Sequence, residues 1–179
     1  MHKLAVVIMA AVVLALSVSG VSGAPPAQAP VAPDAPAGWQ TIMSEDFEGA
    51  WPGSKWTVTE SNADGSDRYW APDDFKPYAR VFSAWPASAG TNKVDPEVDV
   101  YPNDMDTRMV YGPFDLSDAL AAQVEFWLWY EIEAGFDYLY LGVLGDGVNY
   151  DGKGWWDDTS QGWELITVDL APYVGDNSV

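Results

Sequence analysis

From Val124 the chain alternates with a period of two. Val124, Phe126, Leu128, Tyr130 and Ile132 fall on one face, and Glu125, Trp127, Trp129, Glu131 and Glu133 fall on the other. Aromatic residues on both faces mark a strand covered on both sides. After Ala134-Gly135-Phe136-Asp137 a second run, Tyr138 to Leu144, closes on Gly145-Asp146-Gly147. The two runs are expected to pair as antiparallel strands at the centre of a β-sandwich.

Shorter strand patterns flank this ribbon at Trp39–Phe47, Trp56–Thr59, Arg80–Trp85, Arg108–Tyr111 and Trp163–Leu170. Residues 60–78, 86–107 and 151–162 are rich in Gly, Pro and Asp and read as loops, with Pro86 ending the strand before it. Asp118–Ala122 reads as one helical turn or as the lead-in to the central strand. With no long helical periodicity and no repeat, the pattern predicts an all-β, antiparallel sandwich. Gly175–Val179 reads as a loop entering a strand that is not written, so the last strand or strands are expected to be missing.

Before residue 39 the pattern changes. Met1–Gly23 has a basic start, an apolar run from Leu4 to Leu16 and a small-residue end, which predicts a secretory signal peptide. The run falls short of the roughly 20 apolar residues of a membrane span, an uncleaved anchor being the alternative. Ala24–Gly38 is a Pro/Ala-rich linker, and 39–179 is the β-sandwich module.

Composition narrows the chemistry. The 179 residues include 27 acidic and 8 basic side chains, for a net charge of −19, and no cysteine. Export without disulfides points to a bacterial or archaeal extracellular protein. The one histidine, His2, lies in the leader. Histidine-based catalytic triads and zinc sites built on His or Cys are therefore excluded from the mature chain. So acidic a surface disfavours nucleic acid and anionic lipid, and no membrane contact is expected once the leader is removed. An extracellular glycan or protein is the expected partner. Asp151-Gly152-Lys153-Gly154 lacks the strand-to-helix context of a phosphate cradle, and no organic cofactor is expected.

Several segments together resemble one family. Ser44-Glu45-Asp46-Phe47-Glu48-Gly49, with Trp51-Pro52 and Trp56, looks like the start of a MAM-like or concanavalin-like jelly roll. Met109–Ser117, Phe126–Glu133, Asp137-Tyr138-Leu139, Gly145–Tyr150 and Trp163 with Val168-Asp169-Leu170 are similar to the immune-inhibitor-A-like β-sandwich of secreted bacterial proteins. The resemblance implies a jelly-roll accessory module beside a partner domain outside this chain. Members usually continue past the segment like Val168-Asp169-Leu170 with further strands and a late aspartate. The His-Glu-x-x-His zinc motif of the associated peptidases is absent. The resemblance also implies a structural calcium at the first-strand exit, with Glu48 as a direct ligand and Asp46 contributing its carbonyl or side chain. Solvated loop acids are the plain alternative.

Other candidates come from the residues themselves. Asp95, Glu97, Asp99, Asp104 and Asp106 form an acidic loop without the glycine and terminal glutamate of an EF-hand, so a solvated charge run is expected. Asp146-Gly147 reads as a hairpin tip. Trp155-Trp156 with Asp157-Asp158 is a candidate sugar-binding cluster, since indoles stack on pyranose faces and carboxylates accept hydroxyl hydrogen bonds. Trp127 and Trp129 are expected to be core. Glu131 and Glu133 are a conceivable glycosidase pair that nothing marks as tuned for it. The expectation is a secreted, non-catalytic accessory or adhesion-like module, with a carbohydrate-binding module first among the alternatives.

Overall fold

The computed structural model describes residues 39–179 and the backbone of Ile8–Val13. The linker expected over 24–38 and the rest of the expected leader lie outside the described residues.

The strands are β1 (Ile8–Val13), β2 (Ser44–Glu45), β3 (Trp56–Glu60), β4 (Tyr69–Asp73), β5 (Ser83–Ala89), β6 (Thr107–Tyr111), β7 (Gln123–Trp129), β8 (Leu139–Val143), β9 (Asp151–Trp156) and β10 (Glu164–Asp169). One sheet has the order β10-β7-β1-β5-β4, with β2 also on β1; β3–β6 and β8–β9 form two-stranded sheets. Every pairing is antiparallel. The described residues hold no α-helix, only a 3-10 turn at Ala171–Tyr173. The fold is all-β, as the periodicity predicts. Asp118–Ala122 is turn and extended chain.

The expected pairing of the two central runs is corrected. β7 ends at Trp129 and pairs with β10 and β1, while β8 pairs with β9. The reason lies in the apolar faces. Phe126 and Leu128 on β7 are buried with Leu139 of β8, and the Trp156 ring of β9 meets Phe126 edge-on at 6.0 Å. Packing face against face buries these rings; pairing edge to edge would leave one face in water.

Four further expectations give way to tertiary packing. Residues 69–73 and 151–156, read as loop, are strands, and the expected strand over Trp39–Phe47 is reduced to Ser44–Glu45. Pro86 does not stop β5. The register slips there, Tyr69 facing Ala89 but Ala71 facing Trp85, and a bulge tolerates a residue without an N–H. Gly175–Val179 pair with the chain after β6, Phe114 and Val179 exchanging both backbone hydrogen bonds at 2.9 and 3.0 Å.

The main core gathers Phe47, Trp56, Trp70, Phe126, Leu128 and Leu139. A smaller cluster places Trp85, Ala87 and Met105 against Phe75, Trp129 and Trp163. Loop geometry is set largely by aspartate. The carboxylates of Asp46, Asp64, Asp73, Asp95, Asp115, Asp146 and Asp169 each accept the backbone N–H two residues on, at 2.8–3.2 Å. Such turns imitate a backbone hydrogen bond and fix the first bend of a loop.

Candidate ligand-binding site

The β8–β9 hairpin presents an aromatic platform. Tyr140 and Trp155 are directly opposed across the two strands, their ring centroids 4.4 Å apart, and Tyr138 meets Trp155 edge-on at 6.1 Å. Trp155 is 63% exposed, unusual for so large an apolar ring.

Glycine makes room for the Tyr140 ring, which is tilted by 57° against Trp155. Gly142 and Gly152 also face one another across the hairpin, and the Tyr140 ring covers both. A Cβ at Gly142 would come within 2.7 Å of that ring, and one at Gly152 within 3.0 Å. An aromatic side chain over a cross-strand glycine restores the packing that the glycine lacks. The Tyr140 hydroxyl is pinned by donating to the Tyr150 carbonyl at 3.3 Å. On the opposite face Trp156 does the same for Gly154, lying where that Cβ would be.

Beside the platform is a cleft of about 400 Å³ lined by Asp146, Asn149, Tyr150, Asp151, Tyr173 and Asp176, among others. Asp146 Oδ1 accepts the N–H groups of Val148 and Asn149 at the hairpin tip. Asp151 Oδ2 accepts from Lys153 Nζ and from the Tyr173 hydroxyl, each at 2.6 Å. The Asn149 N–H bond, with that of Val148, lowers the Asp146 pKa; Lys153, followed by the Tyr173 hydroxyl, lowers that of Asp151. Both remain ionised acceptors, suited to hydroxyl donors and unsuited to giving up a proton. A larger hollow of about 690 Å³ lies elsewhere, lined by Trp39, Ile42, Met43, Phe114 and the 115–124 segment. It is wide and mainly apolar, and the convergent polar groups are at the hairpin.

The four residues of the Trp155–Asp158 cluster have separate places. Trp155 and Trp156 end β9, Asp157 and Asp158 follow it in irregular chain, and only Trp155 belongs to the platform. Trp156 turns to the core. Asp157 Oδ2 accepts the Gly135 N–H at 2.9 Å, and Asp158, at φ 65°, offers its carbonyl to Ile132 N. Tyr138, Tyr140, Tyr150 and Asp151 complete the site and carry no motif; their signal is the two-residue spacing of the tyrosines and the paired glycines.

Trp127 and Trp129, expected to be core, are only half-buried. Tyr78 stacks on Trp127 at 4.2 Å, while Phe75 and the Lys76 ammonium cover Trp129, the latter 3.8 Å from the ring centroid. Glu131 and Glu133 are exposed beyond the end of β7. Glu131 bridges to Thr159, and the Glu133 N–H donates to the Tyr101 hydroxyl.

At the first-strand exit Phe47 is buried at φ 62°, a strained value for an aromatic residue. Glu45 holds it, one oxygen accepting the Phe47 N–H and the other the Trp56 indole N–H. Glu48 Oε1 accepts the N–H groups of Val81 and Phe82 at 2.8 and 2.9 Å, and Asp46 pairs with Arg80 at 3.1 Å. In the acidic loop Asp95 accepts the Glu97 N–H, Asp99 accepts the Asp95 N–H, and Asp106 pairs with Arg108. Among the described residues no three acidic or histidine side chains gather as a metal cage, and no helix is long and apolar enough to cross a membrane.

No protein-family model matches the chain, and no curated protein or solved structure is significantly similar to it.

Proposed function

We propose that the chain is a secreted, non-catalytic binding module whose ligand is a glycan. The sugar ring stacks on the exposed Trp155 indole, which Tyr138 and Tyr140 brace, while Asp146 and Asp151 accept hydroxyl hydrogen bonds in the adjoining cleft. One observation carries this reading: Trp155 is mostly exposed and yet held in place by two tyrosines over a glycine floor. A rigid, solvated indole loses little entropy when a planar partner covers it. The proposed architecture is an antiparallel sandwich of jelly-roll type, like the immune-inhibitor-A-like and MAM-like modules, and is supported by the antiparallel pairing and the packing of Trp156 on Phe126. A structural Ca²⁺ at Asp46 and Glu48 belongs to the same reading.

Affinity electrophoresis through gels containing soluble polysaccharides tests it. At least one polysaccharide is expected to retard the protein, and Trp155→Ala to abolish the retardation with the melting temperature kept. Equal retardation of the variant, or none by any polysaccharide, would sink the idea.

A further inference from the structure

β1 comes from the apolar run read as a leader, yet it lies inside the largest sheet. Ile8, Met9, Ala10 and Val12 face Trp129, Leu128, Trp127 and Phe126 of β7. On the other edge Met9 faces Ala84 of β5, and Val12 and Val13 face Glu45 and Ser44 of β2. Both edges of β1 are therefore bonded, and its neighbours are deeply packed. Ser83 to Ala87 of β5 are all buried, as are Phe126 and Leu128 of β7.

Without β1 the sheet would be split. β5 and β7 would stand two strand spacings apart, roughly 9.6 Å, too far to hydrogen-bond to each other. Their facing N–H and C=O groups would be left unpaired in a covered region, which folded proteins avoid. An open space there needs a strand.

We propose that the space between β7 and β5/β2 is a strand-acceptor slot. The leader fills it in the precursor, and after leader removal it takes an extended strand of another polypeptide, antiparallel to both neighbours. The donor's chemistry follows from the strand now seated there: six uncharged apolar residues, Ile-Met-Ala-Ala-Val-Val, without proline. β5 has no charged residue, β7 only Glu125, and both oxygens of Glu45 on β2 are already taken by the Phe47 N–H and the Trp56 indole, so a charged donor would be desolvated without a free partner. Main-chain bonds on two edges supply the affinity, as in other strand-addition complexes. The proposal rests on the reading of residues 1–23 as a removable leader.

The test uses the full chain with a protease site placed within 24–38, folded intact and then cut. The probe is a labelled synthetic peptide of residues 4–16 with added terminal lysines; its control carries Ala10→Pro, which removes a donor from a strand bonded on both edges. The N-terminal fragment is expected to stay with the body through gel filtration, to be displaced by excess probe, and not to be displaced by the proline control. Loss of the fragment on cutting with an unchanged melting curve overturns the slot, as does equal exchange of the control. A fragment that never exchanges makes β1 a permanent strand and overturns the acceptor role, and dimers of the cut chain reassign the donor to a second copy. The mass of the exported protein reports the leader separately: a retained N-terminus with normal probe exchange removes the leader reading alone.

Discussion

The Tyr101 hydroxyl donates to Asp137 Oδ2 at 2.8 Å and accepts the Glu133 N–H at 2.9 Å, tying the acidic loop to the turn between β7 and β8. Asp137 is 2% exposed, and its Oδ1 is buried without a hydrogen-bond partner among the described residues. Among those residues Tyr101 provides the one hydrogen bond to this side chain. Tyr101→Phe is expected to destabilise the protein by about 1–3 kcal/mol, the cost of leaving a buried polar group unmatched. Urea unfolding at pH 7 measures it.

The same pair makes the protein sensitive to alkali. Burial, with the Asp137 hydrogen bond adding to it and the Glu133 N–H opposing, pushes the Tyr101 phenol up to about 12. A phenol with a raised folded pKa contributes its stability fully below the unfolded value of about 10, and that stability is lost as pH rises through the folded value. Tyr101 is only half-buried, so the contribution is on the order of 1 kcal/mol after solvent screening. A wild-type decline between pH 10 and 12 that is weaker in Tyr101→Phe is the expected result.

Adjacent tryptophans on β9 separate binding from folding. Trp156→Ala, which uncovers Gly154 and Phe126, is expected to cost about 3 kcal/mol. Trp155→Ala removes an exposed ring and one cross-strand pair, for no more than about 1 kcal/mol. Parallel denaturant curves and affinity gels separate the two effects.

Gly142→Val tests the floor of the platform. Its side chain would displace the Tyr140 ring and with it the opposed Trp155. Glycan affinity is expected to fall about tenfold, the equivalent of 1.4 kcal/mol. Calorimetric titration reads this directly.

Glu48 distinguishes a cap from a metal ligand. Because one oxygen accepts two backbone N–H groups, Glu48→Ala is expected to lower stability by about 1–3 kcal/mol even in chelator. A calcium-dependent rise in melting temperature seen in wild type and absent from the variant would add the ligand role.

What the sequence makes legible is local. The hairpin tip at Asp146-Gly147 is written in its turn chemistry, and the structure has Gly147 at φ 72° with Asp146 capping Val148 and Asn149. The alternation around Phe126 and Leu128 marks the buried face of β7 correctly. Pairing is not legible, because the apolar faces of β7 and β8 are satisfied equally by lying side by side or face to face. β9 is hidden for a different reason: Gly152 and Gly154 read as loop until Tyr140 and Trp156 are seen to cover them. Trp155 stands out by residue type, while its supporting tyrosines come from pairing that no short motif records.

The aspartate turns give the chain's acidity a mechanical meaning. Ser66, through its hydroxyl and its N–H, holds the Asp64 pKa down to about 2, and Asp115 is lowered by the same two groups of Ser117. Contributions of this sign are present above the usual carboxylate range and vanish as pH falls towards 2. Acid is therefore expected to loosen the bends at Asp64, Asp115 and Asp146 while the aromatic interior stays closed. Exchanging these aspartates for glutamates would keep every charge and still misfit the bends, so seven of the 27 acidic side chains shape loops by their length and not by their charge alone.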